Sequence, residues 1–143
     1  MEKEKKKMAE EQCVFCKIIA GEIPSTAVYE DDDFKAILDV NPAARGHVII
    51  VPKKHAANIF ELEDEEAAKV FPIAKKIATA LKKTYGCDGV NVLQNNGEAA
   101  GQTVFHLHVH VVPRYYDDGV NIMWKPGETP DLNEVAEEIR KNL

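Results

Sequence analysis

The chain has 143 residues, 45% hydrophobic and 29% charged, a length and balance that suit one soluble domain with a real core. Its formal net charge of -6 argues against nucleic acid or an anionic membrane as the main partner, although backbone amides can still bind phosphates at a neutral site. No apolar run reaches membrane-span length, and "MEKEKKKMAEEQ" lacks the apolar stretch of a signal peptide, so a cytoplasmic protein is expected.

Residues 1–11 are nearly all charged or polar and read as a flexible tail ahead of one domain over 12–143. Three cysteines follow: Cys13, Cys16 and Cys87. In a reducing compartment the Cys13-Val-Phe-Cys16 pair reads as a metal clip or a redox pair rather than a structural disulfide. A thioredoxin-like motif would follow a strand, whereas this pair follows only the charged tail, which favours metal. Cys87 reads as a small buried residue.

"CVFCKIIAGEIP" predicts a short helical turn that ends near Gly21, with Pro24 blocking continuation. "AVYEDDDFKAILDV" predicts a hairpin around Asp31-Asp32-Asp33. Pro42 and Gly46 bracket a turn, and "HVIIVP" is apolar enough for a central strand. The longest helix is expected over about residues 63–85, with Phe71, Ala74, Ile77, Ala78, Leu81 and Tyr85 on one face and Gly86 as its stop. Pro72 falls inside that span and predicts a kink or a lost first turn. "GVNVLQNN" reads as another strand, then come the loop "GEAAGQ" and a strand rich in histidine. A last helix is expected from about Pro130, with Leu132, Val135, Ile139 and Leu143 along an apolar edge. One long helix among hairpin-like strands predicts an α+β fold with an antiparallel sheet.

"FHLHVHVV" holds three of the chain's five histidines. Strand alternation sends Phe105, Leu107, Val109 and Val111 to one face and His106, His108 and His110 to the other. At roughly 3.3 Å per residue the outer two histidines stand about 13 Å apart. One tetrahedral zinc holds nitrogens at about 2.0–2.1 Å and cannot take all three. A neutral imidazole is a good nucleophile, and the preceding "NNGEAAGQT" offers glycine amides with the side chains of Asn95, Gln102 and Thr103, a phosphate-binding composition. Histidine attack on phosphorus is one reading of these residues and a metallohydrolase is its competitor.

At these residues the chain resembles the histidine triad (HIT) family, whose signature is His-φ-His-φ-His-φ-φ with φ apolar. "CVFCKIIAGEIPS", "VYEDDDFKAILDVNPAARGHVIIVPKKH" and "NNGEAAGQTVFHLHVHVVPR" are similar to consecutive blocks of that family over about residues 13–114. "MWKPG" resembles the C-terminal tryptophan segment of its Hint-like (protein kinase C interacting protein-like) branch. The resemblance implies a HIT-like fold for 12–143: about five antiparallel strands, one long helix and a short C-terminal helix, usually in a homodimer.

The resemblance also implies a purine nucleotide substrate. His108 would attack the α-phosphorus, expel an amine or phosphate group and form a nucleotidyl-histidine that water resolves. By the same match His110 contacts the phosphate and leaving group, and His47 helps to position the nucleophile. Asp39 would bind the ribose hydroxyls; Asn95, Gly101 and Thr103 would surround the α-phosphate, with Gln102 of the same loop also counted as substrate-binding; Phe15, Ile18 and Ile37 would line the base pocket. A structural zinc is implied on Cys13, Cys16, His55 and His106, with no organic cofactor. Within the family this pattern fits a nucleoside phosphoramidase, a dinucleoside polyphosphate hydrolase, or a module that only binds nucleotide.

Overall fold

The computed structural model describes residues 2–143. Helix α1 (Glu2–Gln12) leads through Cys13 into helix α2 (Val14–Ile19). Strands β1 (Ala27–Glu30) and β2 (Phe34–Leu38) form the expected hairpin, and β3 (Val48–Pro52) follows. Helix α3 (Asp64–Tyr85) precedes β4 (Gly89–Leu93), a 3-10 turn over Glu98–Ala100, β5 (Val109–Arg114) and helix α4 (Leu132–Arg140). All neighbouring strands are antiparallel in the order β1-β2-β3-β5-β4. This is the α+β arrangement the sequence predicts.

The sheet has two faces, and period two assigns them. Phe34, Ala36, Val48, Ile50, Val109 and Val111 pack against Ile73, Ala74, Ile77 and Leu81 of α3. Ile37, Ile49 and Val51 point the other way and pack with Cys13, Phe15 and Ile18 around α2. All five residues of β3 are buried, as a central strand requires. His110 sits opposite Ile49 in the β3–β5 register, so it shares the α2 face.

Four details differ from expectation. The charged N-terminus is helical over Glu2–Gln12; it is built from strong helix formers, with Glu2 and Glu4 favourably placed in the first turn. Phe71 is 74% exposed, and Ile73 takes its expected place in the core. Pro72 lies inside α3 without delaying its start or ending it. The carbonyl it leaves unpaired, four residues back at Ala68, belongs to an exposed residue and can be hydrated. The last helix starts later than Pro130, capped by Asp131, whose side chain accepts from the backbone N–H of Asn133 and Glu134. Its apolar edge is open in the single chain, with Leu132 66% and Ile139 56% exposed.

Candidate active site and metal centre

The histidine segment is not one strand. β5 begins only at Val109; His106, at the end of a bend over 104–106, and His108 precede it, and between them Leu107 N–H donates to Ala56 O at 2.7 Å. Alternation still holds from 106 onward. Leu107, Val109 and Val111 are core, while Phe105, expected with them, is half exposed. The three imidazoles therefore face the α2 side of the sheet in three different settings.

His106 is fully buried. Its Nε2 lies 2.8 Å from Pro52 O, which can only accept, so Nε2 carries the proton and Nδ1 presents its lone pair. That lone pair faces Cys13 Sγ at 3.3 Å, Cys16 Sγ at 3.4 Å and His55 Nδ1 at 3.1 Å. Cys16 Sγ is also 3.3 Å from His55 Nδ1. Two sulfurs and two nitrogens on a tetrahedral zinc stand roughly 3.3–3.8 Å apart, from the usual bond lengths, and the cluster has nearly that shape. The fixed tautomer adds the outer hydrogen bond that metal-binding histidines normally have. Burial, then Cys13, pushes the Cys16 thiol up to about 12, so without a cation it keeps its proton. The four expected residues thus meet in one closed Cys₂His₂ cluster that fits zinc.

His108 stands two residues on. Its Nδ1 is 2.8 Å from His106 O, so Nδ1–H donates and Nε2 holds a free lone pair. Burial lowers its pKa, partly opposed by that hydrogen bond and by Asp39. Phe15, on α2 between the two cysteines, packs edge-on against both His108, at 4.9 Å between ring centroids, and His106, at 5.8 Å. Ile18 and Ile37 are buried in the same cluster. The three expected base-pocket residues therefore share one cluster, of which Phe15 touches His108.

His47 bonds to His110, not to His108. Ala43 N–H donates to His47 Nδ1 at 3.0 Å, which leaves the proton of neutral His47 on Nε2. That Nε2–H reaches His110 Nδ1 at 2.9 Å and has Asp39 Oδ2 3.5 Å away. Because His110 accepts at Nδ1, its own proton sits on Nε2. Burial holds His110 down at about 4, with the neighbouring His108 and His47 adding to the effect, and burial also lowers His47. One backbone amide thus fixes two tautomers in series. Gly46 makes the turn into His47 possible: its φ is +93, and an added Cβ would lie 2.6 Å from the Tyr85 ring.

Asp39 keeps the turn role open to any Asp before Asn-Pro, since its Oδ1 accepts from Asn41 N–H at 2.8 Å. The carboxylate retains further lone pairs for another donor. Asn95 lies against Gly101, where an added Cβ would stand 3.6 Å from its Nδ2. Thr103 is exposed at the end of the loop. Gln102 is buried, with its side chain spent on backbone groups. The functional groups that sequence reasoning missed are all backbone: Ala43 N–H, Pro52 O and His106 O. Every residue has these groups, so no sequence signal marks them.

A family model described as "HIT domain" matches residues 20–117. The chain belongs to the HIT family. A HIT family crystal structure from Bacillus subtilis is 44% identical and superposes with a TM-score of 0.87, covering 92% of this chain and 97% of that one. The adenosine 5'-monophosphoramidase of Schizosaccharomyces pombe is 37% identical over 134 residues, 92% of this chain and 98% of its own. A zinc-bound histidine triad protein from Mycobacterium smegmatis is 39% identical with a TM-score of 0.74, covering 82% and 86% of the two chains. The HIT fold expected from the histidine motif is thus the fold of the chain, and among its described residues no helix is long and apolar enough to cross a membrane.

Proposed function

We propose that this HIT protein is a purine nucleoside phosphoramidase: a nucleotidyl hydrolase or transferase that works through His108. The observation carrying this reading is the tautomer of His108, whose Nε2 lone pair is free and whose Nδ1–H is held by His106 O. His108 Nε2 attacks the α-phosphorus, a P–N bond to His108 forms, and the bond to the leaving nitrogen breaks. Positive charge that develops on the imidazole is met by the carbonyl at Nδ1. Neutral His110 offers its Nε2–H to a phosphate oxygen or the leaving nitrogen as a hydrogen-bond donor. It has no spare proton to give, so the departing amine takes its proton from water. Water then attacks phosphorus, the bond to His108 breaks, and the water's proton returns to solvent.

The base would lie against Phe15, Ile18 and Ile37, the ribose hydroxyls on Asp39, and the phosphate between the histidines and the loop of Asn95, Gly101 and Thr103. Zinc on Cys13, Cys16, His55 and His106 would act structurally, anchoring Phe15 and the carbonyl that orients His108. The phosphoramidase name of the fission yeast relative supports the substrate class. Supporting a homodimer, β4 ends the sheet, and beside it Ile59, Leu62, Val70, Phe71 and Val92 line an apolar groove of about 310 Å³. We place the protein in the cytosol, where a metal-bound thiol pair stays reduced.

Adenosine 5'-phosphoramidate and diadenosine tetraphosphate assayed side by side test the proposal. Wild type is expected to prefer the phosphoramidate, and His108→Ala is expected to lose turnover. Preference for the dinucleotide would move the protein to the polyphosphate hydrolases; nucleotide binding without turnover of either would make it a binding module.

A further inference from the structure

Gln102 was expected to bind substrate, yet it is 3% exposed. Its amide nitrogen donates to Ala57 O at 2.6 Å and Val104 O at 3.0 Å, and its Oε1 accepts from Gly97 N–H at 2.8 Å. Both donors and one of the two acceptor positions are thus used inside the protein. The backbone N–H of Gln102 also donates to Gly97 O at 3.0 Å, so the loop from 97 to 102 is closed at its neck in both directions. Inside the neck, Gly101 N–H donates to Glu98 O at 2.9 Å.

Ala57 follows the cluster ligand His55 by two residues. The segment it belongs to is joined to the loop at one further point, where Ile59 N–H donates to Asn96 Oδ1 at 2.7 Å, and to the histidine segment, where Leu107 N–H donates to Ala56 O at 2.7 Å. Loop and histidine segment therefore share one support, residues 56–59, beside the metal cluster.

We infer that Gln102 is a positioning residue rather than a substrate ligand: it holds the phosphate-binding loop closed and at a fixed place relative to His108. The inference rests on the nucleotidyl-transfer reading above. A misplacement of about 1 Å can cost on the order of a hundredfold in rate, which makes such a brace consequential.

The test uses the full chain and Gln102→Met, a replacement of similar volume without hydrogen-bonding groups. Turnover of adenosine 5'-phosphoramidate is measured well below both melting temperatures, binding of adenosine and of AMP by calorimetry, and amide exchange by NMR. Adenosine affinity should stay within about twofold, AMP affinity should fall several-fold, and kcat should fall roughly 10- to 100-fold. Exchange at Ile59 should accelerate at least about tenfold, although Gln102 makes no bond to that amide. Unchanged kcat with only a lower melting temperature would overturn the inference. So would a reduced kcat with unchanged exchange at Ile59, the pattern of a direct ligand. Should the Met variant not fold, Asn96→Ala cuts the parallel tie; it should reproduce the pattern in smaller degree, and wild-type kcat with wild-type exchange at Gly97 would overturn it. Absence of turnover in wild type would refute the phosphoramidase reading, while the AMP, adenosine and exchange measurements would still judge Gln102.

Discussion

His47→Leu removes the group that sets the His110 tautomer. In the native protein Ala43 N–H holds His47 Nδ1 and His47 Nε2–H holds His110 Nδ1 at 2.9 Å, with His47 only 7% exposed. Leucine leaves the His110 Nδ1 acceptor without its donor in a water-poor site, at a cost of about 1–3 kcal/mol. If that loss falls on the reactive arrangement, kcat/KM for adenosine 5'-phosphoramidate falls roughly 5- to 150-fold, at about 1.4 kcal/mol per factor of ten. His47→Gln gives the discriminating comparison. A carboxamide offers one acceptor and one donor at nearly the spacing of the two ring nitrogens, so it can take Ala43 N–H and still donate to His110. The glutamine variant should recover most of the loss. Equal damage from both substitutions would mean that His47 acts through its ring or charge, and would refute the relay of tautomers.

Metal analysis should find about one zinc per chain, and Cys13→Ser with Cys16→Ser should lose it; zinc retained in that double variant would exclude the cluster as its site. In metal-free protein His106 and His110 are both held at about 4 by burial, against an ordinary 6.5. The unfolded chain binds protons between those values that the folded chain refuses, so stability is full above 6.5 and is lost as pH falls toward 4. Urea midpoints after chelation should therefore be lower at pH 5 than at pH 7, and equal midpoints would contradict it. Phe71→Lys, on the open groove beside β4, should turn a dimer into a monomer by sedimentation with the helix content kept; an unchanged dimer would place the interface elsewhere.

Much of this was legible because it is carried by spacing. Alternation put Leu107, Val109 and Val111 in the core and the three histidines on the other face, and the hairpin, the central β3 and α3 follow from composition and turn residues. Phe105 escaped the pattern because pairing starts only at Val109; before it the chain bonds to Ala56 rather than to a strand. Phe71 fits the helical stripe of α3 as well as Ile73 does, and only packing against the sheet separates them. The division of labour among the histidines could be inferred from Cys13, Cys16 and the family pattern. What each ring does with its proton could not, because Pro52 O, His106 O and Ala43 N–H are backbone groups brought close by folding. The same holds for Gln102, whose partners Ala57, Val104 and Gly97 lie on both sides of it in the chain.

In the proposed reaction His108 Nε2 forms a bond to phosphorus. Rapid acid-free quenching of wild type with adenosine 5'-phosphoramidate, followed by peptide mass spectrometry, tests it directly. An adenylyl group is expected on the peptide carrying His108, on that residue alone, and none in His108→Ala. Steady turnover with no adduct, or an adduct on His110, would contradict it.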